Sequence, residues 1–141
     1  MIVTHFATAQ EAQNAFYQAI ERADLAQMMA VWAEEDDIVC VHPGGPRYTG
    51  IAEVRESWRQ IFSRGPELTF KLVAERTFPG RMLSVHSVYE RIVHIKDSFS
   101  PTSVIATNIF VLSNHGWQML AHHASPISDR PVEEGPTSTL H

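Results

Sequence analysis

The spacing of apolar residues changes once along this chain, near Gly65, and that change constrains the fold more than any other feature. Before it, apolar side chains recur at three- and four-residue intervals; after it they run and alternate as strands do. Thr8-Ala9-Gln10-Glu11 has the form of a capping box, and Ala12, Phe16, Ala19, Ile20 and Ala23 follow at helical spacing, which predicts a helix from about Ala9 to Ala23. Asp24-Leu25-Ala26-Gln27 repeats the signal and opens a short helix with the stripe Leu25, Met28, Met29 and Trp32, ended by the acidic run Glu34 to Asp37. Ile38 to Val41 is a continuous apolar run stopped by Pro43-Gly44-Gly45-Pro46, as expected of a buried strand; Ile38, Cys40 and His42 share one of its faces, Val39 and Val41 the other. A third helix follows Gly50, read as its N-cap with Glu53 at N3, and carries Ile51, Val54, Trp58, Ile61 and Phe62 to a stop near Gly65-Pro66.

Beyond that point, Leu68 to Phe78, Met82 to Ile95, Val104 to Ser113 and Trp117 to Ser125 read as four long strands. Pro79-Gly80, the stretch 96–102 and Asn114-His115-Gly116 separate them. Helices segregated from a run of strands indicate an α+β domain in which three N-terminal helices cover one face of a curved, largely antiparallel sheet. Residues 1–126 are expected to form this one domain. The prolines and sparse apolar residues of 127–141 predict a tail that is poorly ordered or lies along the surface.

At 141 residues and 44% hydrophobic, the chain suits a single core. Its net charge of −5 and its 11 scattered basic residues give no footprint for nucleic acid. No apolar run approaches the ~20 residues of a membrane helix, and no basic and apolar leader opens the chain, so a cytoplasmic location is expected. Cys40 is the single cysteine and has no adjoining basic residue to favour its thiolate, so it reads as a small buried hydrophobe. Neither a His-Glu-x-x-His pattern nor paired cysteines occur, which disfavours a metal site.

Chemistry concentrates in two histidine motifs, Val41-His42-Pro43-Gly44-Gly45-Pro46 and Trp117 through His122-His123-Ala124-Ser125-Pro126. A strand imidazole among apolar residues either lines a pocket or needs a buried partner. His42 reads as a pocket base or ligand contact, or as a ring capping the Pro43 turn. Adjacent strand residues face opposite ways, so His122 and His123 cannot both enter one site. His123 shares parity with Trp117, Met119 and Ala121 and is assigned to the pocket; His122 goes to the outer, dimer-side face. A two-residue His115-Gly116 loop would set Asn108 opposite His123, whereas a three-residue loop would set Thr107 there. His86 and His94 read as surface or interface residues. Glu90, of the same parity, is either a pocket carboxylate or a solvated strand residue. Arg47 and Tyr48 stand where they could gate a pocket mouth, Arg55 and Arg59 fall on the solvent side of the third helix, and Trp32, Trp58 and Trp117 read as core.

The order of elements, the stretch Trp32 to Phe62 and the motifs Ala106-Thr107-Asn108 and Trp117 to Pro126 resemble the nuclear transport factor 2-like superfamily, in particular its SnoaL-like branch. The resemblance covers roughly residues 8 to 126. It implies a cone-shaped domain of cystatin-like fold with a deep hydrophobic pocket, pairing as a homodimer through the outer face of the sheet. By similarity to ketosteroid isomerase, His42 stands where that enzyme carries its aspartate base, Phe16 stands where its helix-one phenol would be, and Tyr17 lies on another side of the helix. The enzyme's phenol and protonated acid have no clear counterparts. Together these readings predict that a small apolar carbonyl compound binds in the cone, with His42 and His123 as catalytic pair and Asn108, Phe16, Trp58, Trp117, Tyr48 and Glu90 around it. Isomerase, dehydratase or cyclase-type proton transfer without a cofactor is the expected chemistry; a non-catalytic binding or assembly module is the alternative.

Overall fold

The computed structural model of the chain describes residues 5–95 and 103–127. The side chain of His94 and the tail from 128 onward lie outside that description, so the expectations for both stay as stated.

Helix α1 (Ala9–Arg22) begins as its capping signal requires: Thr8 Oγ1 accepts from Glu11 N at 3.0 Å, and Glu11 reaches back to Ala7 N. It ends at Ala23, whose φ of 51° turns the chain directly into α2 (Leu25–Val31), capped by Asp24 through Gln27 N. Strand β1 (Val39–Val41) follows, then β2 (Arg47–Thr49), a short strand that the Pro/Gly turn concealed in the sequence. Helix α3 (Gly50–Phe62) starts one residue earlier than expected; Thr49 is its N-cap and Glu53 accepts from Thr49 N. Four long strands complete the chain, β3 (Leu68–Pro79), β4 (Leu83–Ile95), β5 (Ser103–Ser113) and β6 (Gly116–Pro126).

These strands form one six-stranded sheet in the order β2-β1-β6-β5-β4-β3, antiparallel throughout except that β1 runs parallel to β6. The sheet is curved and unclosed, and the three helices cover its inner face. The core fills the space between them: Phe16 at its centre is fully buried, with ring centroids 4.9 Å from Tyr17, 5.6 Å from Trp58 and 4.7 Å from His122. No helix among the described residues is long and apolar enough to cross a membrane.

Two irregularities in the ladder decide what faces inward. In β3, Val73 pairs with Tyr89 and Arg76 with Ser87, so Ala74 and Glu75 together oppose one residue; Ala74 adopts a φ of 52°, and the bulge turns Glu75 toward α1. In β6, Met119 pairs with Phe110 and Ala121 with Ile109, leaving Leu120 as an extra residue that reverses the parity of everything after it.

Candidate functional site

His42 stands at the C-terminal end of β1 with its Nε2 3.0 Å from Ser57 Oγ of α3. The Ser57 hydroxyl donates to Val54 O at 2.7 Å, which leaves its oxygen free to accept, so His42 Nε2 carries the hydrogen and Nδ1 the lone pair. The ring meets Trp58 edge-on at 4.5 Å and lies 5.8 Å from Tyr48. Burial lowers the His42 pKa to about 4, so the imidazole is neutral at physiological pH. Cys40, on the same face of β1, is fully buried and its thiol is pushed up to about 12, consistent with a small core residue.

The second imidazole of the site is His122, and this corrects the assignment of His123. Thr107 does face His123 across the ladder, but Asn108 pairs with His122. The hairpin loop is Asn114-His115, and the bulge at Leu120 inverts the expected parity. Ala124 and His122 therefore point inward and His123 outward, exposed to solvent. His122 and Cys40 are partners in the parallel β1–β6 ladder, which places His42, two residues beyond Cys40, about 8 Å from His122 between backbones. The rings flank Trp58, whose centroid is 4.5 Å from that of His42 and 6.3 Å from that of His122. Burial, reinforced by His42 and His123, pushes His122 down to about 3.

Behind His122 runs a continuous string of buried hydrogen bonds. His122 Nδ1 lies 2.6 Å from Asn108 Oδ1; Asn108 Nδ2 donates to Tyr17 Oη at 2.9 Å; Tyr17 Oη donates to Glu90 Oε2 at 2.7 Å. A branch leaves from Asn108 Nδ2 to Gln13 Oε1 at 3.0 Å, continuing to His86 and Ser84 on one side and Glu75 on the other. Two sequence expectations change here, for Tyr17 and His86, and the alternatives left open for Glu90 are decided. Tyr17 does enter the interior, because the curved sheet embraces α1 widely enough to bury both Phe16 and Tyr17. Glu90 is buried against that phenol rather than solvated, and desolvation raises its pKa to about 7, with the Tyr17 hydrogen bond opposing. His86 is a fully buried member of the network and not a surface residue; burial holds its pKa down. Tyr17 in turn is raised well above 10, first by burial and then by Glu90.

The structure thus gathers His42, Tyr48, Trp58, Phe16, His122, Asn108 and Glu90 around the inner face. It leaves out His123 and also Trp117, which sits five residues up β6 from His122, roughly 17 Å at strand rise. Trp117 instead borders a concavity of about 290 Å³ under the N-terminus of α1, shared with Ser84 and His86. A second concavity, about 420 Å³, lies beside Trp32, Glu34 and the β5–β6 hairpin. Among the described residues no cluster of three His, Cys, Asp or Glu side chains could hold a metal ion. Gln13, Tyr17 and Ser57 were the residues that sequence reasoning missed. Their signal was weak: Gln13 and Tyr17 are four apart on α1, each next to a position of the apolar stripe.

Residues 9–129 match the family model of the SnoaL-like domain, and the chain belongs to that family, within the nuclear transport factor 2-like superfamily. A solved structure from Thiobacillus denitrificans, described as a candidate calcium/calmodulin-dependent protein kinase type II association domain, superposes with a TM-score of 0.80 at 34% identity, covering 88% of this chain and 98% of that one. A candidate dehydratase of the nuclear transport factor 2-like family from Streptomyces avermitilis gives 0.77 at 29% identity, covering 84% and 93%. The F-box protein SKIP8 of Arabidopsis thaliana is 27% identical over 110 residues; the match spans 78% of this chain and 46% of that protein.

Proposed function

We propose that this chain binds a small, largely apolar, carbonyl-bearing molecule against the inner face of its sheet, beside His42 and His122, and moves a proton on the carbon next to that carbonyl, without a cofactor. One observation carries the reading: a buried string of hydrogen bonds runs from His122 to Asn108 at 2.6 Å, on to Tyr17 at 2.9 Å and to Glu90 at 2.7 Å, with an imidazole at one end and a carboxyl at the other. A free glutamate loses its proton near 4.5 and a free histidine near 6.5, whereas here the values are about 7 and about 3. Between those limits the carboxyl keeps its proton and the imidazole its lone pair, so a hydrogen-bond donor and a proton acceptor stand in the same interior.

In the proposed step, His122 Nε2 takes the proton, the C–H electron pair becomes the new C=C bond, and the carbonyl pair moves onto oxygen. The protonated Glu90 carboxyl, oriented by Tyr17, hydrogen-bonds the developing charge. The proton then returns to carbon. His42, neutral and close by, is the second base available to a bound molecule, and Phe16, Trp58 and Tyr48 supply the apolar walls.

The test is exchange of α-hydrogens for deuterium across a panel of apolar ketones and aldehydes, followed by NMR. Wild type should exchange at least one of them, and His122→Gln or His42→Gln should slow that exchange by about a hundredfold or more. Equal rates in wild type and both variants would overturn the reading. The second reading, a non-catalytic module that assembles through the outer face of the sheet, is favoured by the likeness to a candidate association domain. It predicts a dimer or larger assembly in sedimentation that is unchanged by either substitution.

A further inference from the structure

We infer that Gln13, held by Glu75, is the positioning residue that stops the Asn108 amide from turning over and so keeps the lone pair of His122 on Nε2. The inference rests on the proposed role of His122 and adds two residues to that site which touch no substrate.

A side-chain amide can sit in two ways that exchange its oxygen and its NH2 group. Asn108 makes three contacts: Nδ2 with Gln13 Oε1 at 3.0 Å, Nδ2 with Tyr17 Oη at 2.9 Å, and Oδ1 with His122 Nδ1 at 2.6 Å. Turned over, it would present oxygen to Gln13 and Tyr17, and NH2 to His122. Tyr17 gives its one hydrogen to Glu90 Oε2 at 2.7 Å and so accepts from Asn108, but it holds the amide only while Glu90 takes that hydrogen; a protonated Glu90 can donate to the phenol oxygen instead, and the phenol can then turn its hydrogen toward Asn108. His86 does not select between the two states, since its tautomer can change together with the hydroxyl of Ser84, 2.9 Å from Nε2. His122 adapts in the same manner.

The group that cannot adapt is the carboxylate of Glu75, which only accepts. Exposed on the β3 bulge, it draws Gln13 Nε2 to 3.0 Å and so fixes Gln13 with its oxygen inward. That oxygen needs donors, and takes them from His86 Nδ1 at 3.1 Å and from Asn108 Nδ2. Asn108 must then offer oxygen to His122, His122 must carry its hydrogen on Nδ1, and Nε2 is left as the base. A charge at the surface thereby sets the polarity of a buried imidazole through two amides, at little desolvation cost because the charge itself stays in water.

Long-range proton–nitrogen NMR of the nitrogen-15-labelled, ligand-free protein at pH 6, where Glu90 is protonated and Tyr17 is free to turn, reads the ring tautomers directly. Wild-type His122 should show a single form, protonated at Nδ1 and not at Nε2. Glu75→Lys replaces the acceptor by a donor at an exposed position where folding is safe; Gln13 should turn, and the Nε2–H form of His122 should become visible in the same spectrum. The double variant Glu75→Lys with Gln13→Glu restores an acceptor facing Asn108, now paired with the lysine, and should return His122 to the Nδ1–H form. A wild-type His122 protonated at Nε2, or a Glu75→Lys spectrum identical to wild type, would overturn the inference. Because these spectra need no substrate, failure of the catalytic reading leaves their outcome untouched.

Discussion

Glu90 gains a proton on folding, and the substitution Glu90→Gln measures what that gain is worth. The carboxyl is buried at the inner face of β4 against Tyr17, and desolvation lifts its pKa from 4.5 to about 7. Below pH 4.5 it is protonated in the folded and unfolded chain alike and imposes no penalty. As pH rises toward 7, the unfolded chain releases a proton that the folded one retains, so stability falls, and above 7 the full cost of a buried carboxylate is present. At 1.36 kcal/mol per tenfold change in proton affinity, the interval between 4.5 and about 7 amounts to about 3 kcal/mol. Glutamine keeps an oxygen for the Tyr17 hydroxyl to donate to but cannot ionise. Urea unfolding at pH 4.5 and at pH 8.5 should therefore show Glu90→Gln gaining about 3 kcal/mol on wild type between the two conditions. With a urea slope of about 2 kcal/mol/M, that is a relative midpoint shift of about 1.5 M. The histidines titrate equally in both proteins and cancel. A gap between wild type and variant that is the same at both pH values would refute the claim that Glu90 is a desolvated acid.

Further outcomes follow from the same geometry. His42 and His122, near 4 and 3 when folded against 6.5 when free, stabilise fully above pH 6.5 and less as pH falls; acidifying the Glu90→Gln protein from pH 7 to 4.5 should cost about 2 to 3 kcal/mol for each, read by tryptophan fluorescence during urea unfolding, and a flat profile would contradict their burial as neutral rings. Phe16→Ala should cost about 3 to 5 kcal/mol in the same assay, since it opens a cavity between Tyr17, Trp58 and His122; a loss below 1 kcal/mol would mean the centre of the core lies elsewhere. Cys40, fully buried with its thiol raised to about 12, should react with a disulfide reagent only as fast as the protein unfolds, and rapid labelling of the native protein would argue against its placement.

The elements were legible in the sequence because each rests on local physics. The capping residues Thr8 and Asp24 start their helices as read, and the alternating segments become β3 to β6 within a residue or so of the expected ends. Ile38, Cys40 and His42 share a face of β1 as pleat geometry requires, and Arg55 and Arg59 are exposed on α3. The site was legible only in part. His42, Phe16, Trp58 and Asn108 lie on the inner face, Asn108 by a register that the sequence left open against Thr107, and the choice between His122 and His123 failed on one inserted residue. Strict alternation propagates from the hairpin along β6 only if nothing interrupts the ladder, and Leu120 interrupts it. Strand β4 misled for another reason. His86 reads as a surface or interface residue and Glu90 as either solvated or pocket-facing, yet both point inward beside Ser84 because Gln13 and Tyr17 arrive from α1 to satisfy them.

What the amino-acid sequence determined by itself was the order of the helices and the long strands and the shared face of Ile38, Cys40 and His42, since periodicity, capping and pleating act within a few residues. What only the tertiary structure decided was which polar side chains share the interior. That depends on partners contributed from distant parts of the chain: Gln13 and Tyr17 lie 73 residues from their contacts His86 and Glu90. A buried polar group is tolerated only where such a partner meets it.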